Sequence, residues 1–255
     1  MRVLTLNTAM ISPAFAGMGN NRLRMRHILG KIPMLAEVAC LQEVFSRGAR
    51  REVRRWALTH GWWCVTDNRK GAYGVGVNSG LAIISQYHIT QSHLESYKDY
   101  AGDENMAKKG IIHAEITYGT KRYNIYSTHL QAGGMSKSVF RFIDRIRRRY
   151  YASAKTIKQR QLDQGRKFII ENGIENAILV GDFNLTYSDV SPELASLNPH
   201  DIFDASGSGY QCTNHQLTKR IDLMIRFSED EIAKSATITD EFGAWTDHMG
   251  VIAII

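Results

Sequence analysis

The chain has 255 residues, of which 44% are apolar and 22% charged. That length can bury one sizeable core, and the balance is ordinary for a globular protein, which excludes global disorder. A net charge of +7 points to an anionic partner (nucleic acid, an anionic membrane surface or a phosphorylated substrate) without choosing among them.

In chain order, "RVLTLN" reads as a first strand. "NRLRMRHILGKIPMLAEV" carries apolar residues at helical spacing, with Pro33 expected at a break or in a first turn. "ACLQEVF" is a second strand, and "RGARREVRRWALTHG" a helix closed by Gly61. "WWCVTDN", "SGLAIISQY", "KGIIHAEITY" and "KRYNIYSTHL" are four strand-like runs divided by glycine-bearing turns. "SVFRFIDRIRRRYYASAKTIKQRQLDQGRKFIIENG" is strongly helical and ends at Gly173, and "NAILVGDFNL" is a buried strand running into a loop. "KRIDLMIRF", "KSATITD" and "HMGVIAII" complete the strands. No repeat or linker interrupts the pattern, so residues 1–255 are expected to form one α/β domain, two packed sheets covered by helices.

The three cysteines, Cys40, Cys64 and Cys212, are widely spaced and form no CxxC. They suggest neither a disulfide framework nor a structural zinc site, and fit a reducing compartment. "MRVLTLNTAM" enters a strand pattern directly, without the features of a secretory signal. No apolar run approaches the length of a transmembrane helix. The expected location is cytoplasmic by default, with peripheral membrane association and export by a route without a cleavable signal left open. The oligomeric state leaves no mark in the sequence.

Metal-ligand residue types recur where strands end: Asn7 after "VLTL", Glu43 after "ACLQ", and His129 after "IYST". Asp182 and Asn184 follow "ILVG", Asp222 follows "KRI", and Asp247 and His248 precede "MGVIAII". Strand ends are rigid and hold ligands in a fixed geometry. Carboxylate and amide oxygens without thiolates suit a hard cation such as Mg2+. Singly, each residue has an ordinary explanation as a turn cap, a solvated charge or an Asx-turn. Recurring in this order, they point to one site.

The segments "LNTAM", "LQEVF", "STHLQ", "VGDFN", "RIDLMI" and "TDHMGV" resemble the motifs of the endonuclease/exonuclease/phosphatase superfamily, in an order covering nearly the whole chain. The resemblance implies metal-dependent hydrolysis of phosphate esters. It also implies a four-layer α/β sandwich, two central, mainly antiparallel sheets flanked by helices, as in DNase I. Within the superfamily, "NSGLAIISQYHI", "AGDENMAKKGIIHAEI", "STHLQAGG" and "KQRQLDQGRKFI" most resemble the neutral, Mg2+-dependent sphingomyelinases. The implied reaction is phospholipase C-type cleavage of sphingomyelin or a related phospholipid at a membrane surface. A Mg2+-dependent DNase or abasic-site endonuclease acting on nucleic acid is the alternative, and a phosphoinositide phosphatase a second.

On that resemblance Glu43, with Asn7, holds Mg2+, with Mn2+ or Co2+ as substitutes, and His248 is the general base. Asp222 or another carboxylate orients its imidazole, Asp182 and Asn184 position water and phosphate, and His129 donates to the phosphate oxygens. Asp247 serves a second metal or a structural bond. Lys108 or Lys109, with Gln131, contacts substrate. Two departures stand out. The spacing from Asp103 to Lys-Gly is one residue longer, and the aromatic hairpin of the bacterial secreted enzymes is reduced to Phe242 and Trp245. Upstream, Val139, Phe140, Ile143, Ile146 and Tyr150 share a helical stripe, while Arg141, Arg145, Arg148 and Arg149 lie mainly elsewhere. This is either a core-packing helix, a membrane-contacting helix using Phe140, Ile143, Arg145 and Arg148, or a DNA-backbone contact.

Overall fold

The structure is a computed structural model describing residues 1–11, 18–69, 78–100, 107–132, 154–205, 212–214, 219–227 and 235–255. Twelve strands among these form two six-stranded sheets. The first contains β1 (Arg2–Asn7), β2 (Val38–Gln42), β3 (Trp63–Thr66), β4 (Ala82–Ser85), β11 (Ser235–Thr239) and β12 (Gly250–Ile254), in the order β11-β12-β1-β2-β4-β3. The second contains β5 (Ile89–Ser96), β6 (Gly110–Tyr118), β7 (Lys121–His129), β8 (Ala177–Asp182), β9 (His200–Asp201) and β10 (Asp222–Arg226), in the order β5-β6-β7-β8-β10-β9. Each sheet has one parallel pair at its centre, β1 with β2 and β7 with β8, and is otherwise antiparallel.

Among the described residues, three helices of more than two turns cover the sheets: α1 (Asn21–Leu35), α2 (Arg47–Thr59) and α3 (Ala154–Asn172). Alternate side chains on each central strand go to opposite faces. On β1, Val3 enters the core between the sheets, while Leu4 and Leu6 pack outward against Met25, Ile28, Leu29 and Ile32 of α1. On β8, Ile178 and Val180 face inward, and Leu179 packs outward with Leu162, Phe168 and Ile169 of α3. Burial on both faces explains why these strands read as nearly continuous apolar runs, interrupted on β1 by buried Thr5. The four layers are helices, sheet, sheet and helix.

Several elements differ from the sequence expectation, and β9 with the short helical turns at Tyr187–Val190, Ser191–Leu197 and Ile202–Ala205 has no predicted counterpart. Pro33 lies inside the last turn of α1 rather than at a break or a first turn. There its missing N–H removes one bond while Ala36 still donates to the Ile32 carbonyl at 2.9 Å, and the helix stops. β5 has no counterpart in the predicted elements. It is an edge strand with a largely exposed middle, so it lacks the apolar alternation that marks a half-buried strand. Phe140, Ile143, Arg145, Arg148 and the rest of the basic aromatic stripe, together with Gly133, Gly134 and Asp103, lie outside the described residues. All three cysteines are free, and Cys40 is buried.

The parallel pairs position the site. Asn7 is in register with Gln42, and His129 with Asp182, so both central pairs finish at their C-terminal ends. β1 lies over β8 and β10, and β2 over β7 and β8. Four strand ends from two sheets therefore meet at one edge of the sandwich.

Candidate active site

Glu43 is the first residue after β2 and sits at φ 58, a left-handed conformation that non-glycine residues seldom adopt. Its neighbours hold it there. Val44 N–H donates to the Gly80 carbonyl at 2.8 Å. Gly80, itself at φ 70, lies under the Phe45 ring so closely that a Cβ would come within 2.7 Å of it. Asn7 ties the sheets together: its Nδ2 donates to Asp182 Oδ2 at 2.9 Å, and its Oδ1 accepts from Ala9 N–H at 3.0 Å. Buried Thr246 donates to the Asn7 carbonyl at 2.7 Å, bringing the loop before β12 to the same place.

Two buried histidines flank Asp182. His129 Nε2 is 3.6 Å from Asp182 Oδ2 and 3.8 Å from Glu43 Oε1. His248 Nε2 is 3.9 Å from Asp182 Oδ2, while its Nδ1 makes a 2.8 Å hydrogen bond with Asp222 Oδ2. Thr213 Oγ1 accepts from the N–H groups of Ile221 and Asp222 at 3.1 and 3.0 Å. The Asn214 amide nitrogen is 2.9 Å from His248 Nε2. Asn184, at φ 50, donates its N–H to Asp182 Oδ1 at 2.9 Å and its Nδ2 to the Leu130 carbonyl at 3.2 Å. Lys158 Nζ donates to the Asn184 carbonyl at 2.8 Å.

Crowding of buried charge perturbs these groups. Burial, opposed by Lys109 and reinforced by Asp182, lifts the Glu43 carboxyl to about 7. Burial also lifts Asp222 to about 6; His248 offsets part of this, and Asp182, its directly paired neighbour on β8, adds to it. Burial, then Lys109 and His248, push His129 well below the usual histidine range. Burial also opposes charge on His248, but Asp222, with Asp182 and Asp247, overcomes it and raises the imidazole to about 10.

Asn7, Glu43, His129, Asp182, Asp222 and His248 thus converge, with Asn184 at the margin. Half-buried Asp247 contributes to the field on His248 and Arg24. Of the two lysines, Lys109 faces the site. It is buried, and its Nζ donates to the Leu130 carbonyl at 2.8 Å. Lys108, at φ 27, is exposed. Gln131 is buried, its N–H donating to Gln161 Oε1 at 2.8 Å. Phe242 is fully buried and Trp245 stacks on His27 with centroids 4.1 Å apart, so both are committed to packing.

Sequence reasoning missed Asn214, Thr213, Lys158 and Arg24. Arg24 is 4% exposed and donates to the carbonyls of Ala9 and Thr8 at 3.0 and 3.1 Å and to that of Trp245. Its signal was available, as an arginine four residues before Ile28 on the apolar face of α1. Asn214 lies in a polar loop segment that offers none.

The donor chemistry fits a divalent cation. Glu43, Asp182 and Asp222 are carboxylates held largely or wholly out of water, and Asp222 Oδ1 is buried without a hydrogen-bond partner. Asp182, Asp222 and His248 each offer a ligand atom within 4.8 Å of the others. The set is rich in oxygen and free of thiolate, as a hard ion requires.

Solved structures share this fold over nearly their whole length. Sphingomyelinase C from Streptomyces griseocarneus superposes with a TM-score of 0.74 at 16% identity, covering 99% of this chain and 98% of that one. Beta toxin from Staphylococcus aureus, in a structure with bound magnesium ions, gives 0.74 at 15%, with 99% and 98% covered. TDP2 from D. rerio, complexed with a single-strand DNA product, gives 0.70 at 13%, with 99% and 97% covered. No curated protein matches the chain in sequence. The sequence profile of the Endonuclease/Exonuclease/phosphatase family matches residues 4–248, the span from β1 to the second site histidine, and the chain belongs to that family.

Proposed function

We propose that the chain is a metal-dependent phosphoric diester hydrolase that cleaves sphingomyelin or a related phospholipid in phospholipase C fashion. The observation that carries the hydrolytic part is the buried Asp222–His248 pair, 2.8 Å apart, facing Asp182, Asn7, Glu43 and His129. Water attacks phosphorus, the neutral form of His248 takes its proton at Nε2, and the phosphorus–oxygen bond to the ceramide or diacylglycerol oxygen breaks, so turnover climbs with pH toward the raised imidazole value of about 10. That oxygen takes a proton from solvent as it leaves, His248 gives its own back to solvent, and the headgroup phosphate is released. Asp222 holds the imidazole through Nδ1, so Nε2 faces the reacting centre. His129, kept neutral, directs its Nε2–H toward the phosphate oxygens as their charge grows, and Asn184 and Lys109 support that pocket through the Leu130 carbonyl. Glu43, with Asn7 beside it, would hold the cation (Mg2+, with Mn2+ or Co2+ as substitutes), which would supply Lewis-acid chemistry to the phosphate.

The lipid assignment is supported by the "STHLQAGG" and Lys-Gly segments and by the likeness to sphingomyelinase C and beta toxin. No helix of the described residues is long and apolar enough to cross a membrane, and peripheral contact with a lipid surface is what the reaction needs. Net charge and the likeness to TDP2 favour a nucleic-acid substrate as the second reading. Sphingomyelin, phosphatidylcholine, plasmid DNA and an inositol phospholipid, each with Mg2+ and with EDTA, separate the two. Headgroup release from choline lipids that EDTA abolishes is expected, whereas plasmid nicking without lipid turnover refutes the lipid assignment. His248→Ala is expected to lose about 100-fold or more in turnover while keeping its circular dichroism. Full turnover in that variant refutes the base assignment.

A further inference from the structure

Between residues 22 and 55 the chain carries nine arginines and lysines against three glutamates, and most of that surplus emerges on one surface. Arg22 and Arg26 of α1 and Arg47, Arg51, Arg54 and Arg55 of α2 are all exposed. Val53 and Ala57 of α2 are buried against the first sheet, so the outer stripe of the helix is Arg47, Arg51, Arg54, Arg55 and Leu58. Between the helices runs a groove lined by Arg22, Gly48, Arg51, Glu52 and Arg55. Glu52 is 3% exposed and pairs with Arg22, Arg26 and Arg55, organising three guanidinium groups that it cannot neutralise. Arg47 and Arg51 have no carboxylate partner among the described residues. This surface begins beside the catalytic cluster, because Arg47 follows Glu43 after only Val44, Phe45 and Ser46.

We propose that the α1–α2 face docks the protein on an anionic phospholipid surface. The hydrolysis already proposed does not use these residues, and the lipids recognised here are anionic ones rather than the zwitterionic substrate. Charge complementarity is the first argument. Arginines on rigid helices meet lipid phosphates and carboxylates, each adding a similar increment near a negative membrane. The second is the composition of the flanks. Leu23 is 49% and Leu58 82% exposed, next to the arginines on each helix. Aliphatic side chains beside arginines suit the boundary between headgroup and acyl chain. A single nucleic-acid strand would instead seek open aromatic platforms. Trp56, the tryptophan of α2, is half-buried, with its ring stacked on His60 and its edge against Trp62.

The test is co-sedimentation of the full chain in EDTA, so that only binding is read. Vesicles of phosphatidylcholine alone are compared with vesicles containing phosphatidylserine, at low and high salt. Preferential binding to the anionic vesicles that weakens with salt is expected. Arg47→Glu with Arg51→Glu is expected to lower that affinity by about 30-fold or more, from about 1 kcal/mol per arginine. Hydrolysis of a soluble diester such as bis(p-nitrophenyl) phosphate should be unchanged. Arg47→Gln with Arg51→Gln provides the same measurement if the reversed charges impair folding, and Leu23→Ser with Leu58→Ser should weaken binding that survives high salt. Equal binding to both vesicle types, or unaltered binding by the arginine variants, overturns the proposal. Loss of binding to a DNA 30-mer in those variants, with vesicles ignored by the parent, assigns the face to nucleic acid and overturns it as well.

Discussion

Two buried histidines within 4 Å of one carboxylate oxygen, Asp182 Oδ2, are driven in opposite directions, and the cause is their second neighbours. His129 has Lys109 near it and an Nδ1 without a partner, so burial wins and the ring stays neutral. His248 has Asp222 on Nδ1, and its charge persists to about 10. Asp222→Asn removes the dominant opposing charge, so the His248 titration seen by proton NMR in EDTA should move down. The loss in kcat/KM should be about 100-fold or more. A His248 titration that does not move would show that Asp222 is not what raises it. Arg24 acts through other residues. It fastens the Thr8–Ala9 turn to the Trp245 carbonyl, joining the loop after Asn7 to the loop before His248. Arg24→Met leaves three carbonyls without their donor and is expected to cost about 3 kcal/mol in denaturant unfolding, with Arg24→Lys between it and the parent. Equal stability of all three proteins would remove Arg24 from this role.

Among the elements, β1, β2 and β8 were legible because burial on both faces leaves nearly continuous apolar runs, whereas β5, polar and exposed at its edge, carries no such mark. The parallel join of β7 and β8 depends on Gly181, at φ 142, where a Cβ would lie 2.0 Å from the Thr128 carbonyl oxygen. Gly181→Ala must push the strands apart next to His129 and Asp182, and should lower both the melting temperature and turnover. A variant with parental values in both would show that the close approach is dispensable. On α2, Glu52 faces three arginines at the groove. Burial opposes its charge, but the hydrogen bonds of Arg26 and Arg22 hold its carboxyl down at about 2, against 4.5 when unfolded. A depressed carboxyl stabilises the fold above the unfolded value, and that contribution fades as pH falls from 4.5 toward 2. Glu52→Gln should therefore destabilise by about 1 kcal/mol at neutral pH, with the difference from the parent closing by about pH 2. A difference that stays constant with pH would assign it to packing instead of charge.

At the scale of the molecule, the site is made by two sheets whose central strands end together. The polar residue at the end of a strand at Asn7, Glu43, His129 and Asp182, and at the start of one at Asp222, made those positions readable in advance. Asn214 and Arg24 come from a loop and a helix with no strand end to announce them, and only the folded chain separates Lys109 from Lys108. Gathering so many carboxylates in one buried place must cost stability, and Glu43 shows where. Unfolded, it loses its proton near 4.5; folded, burial, with Asp182 adding to it, defers the loss to about 7. A raised carboxyl favours the fold while both states are protonated, so in EDTA this contribution declines between pH 4.5 and 7 and is gone above. Glu43→Gln carries no such proton. It should melt like the parent near pH 4.5 and above it at about pH 8 in EDTA, the signature of a group kept for function against stability. Mg2+ should then raise the parent's melting temperature at about pH 8 far more than at pH 4.5, where it must displace the Glu43 proton, and should barely move Glu43→Gln. If the variant melts below the parent at pH 8 in EDTA, or takes the same Mg2+ shift, Glu43 is a structural carboxylate and the cation belongs elsewhere.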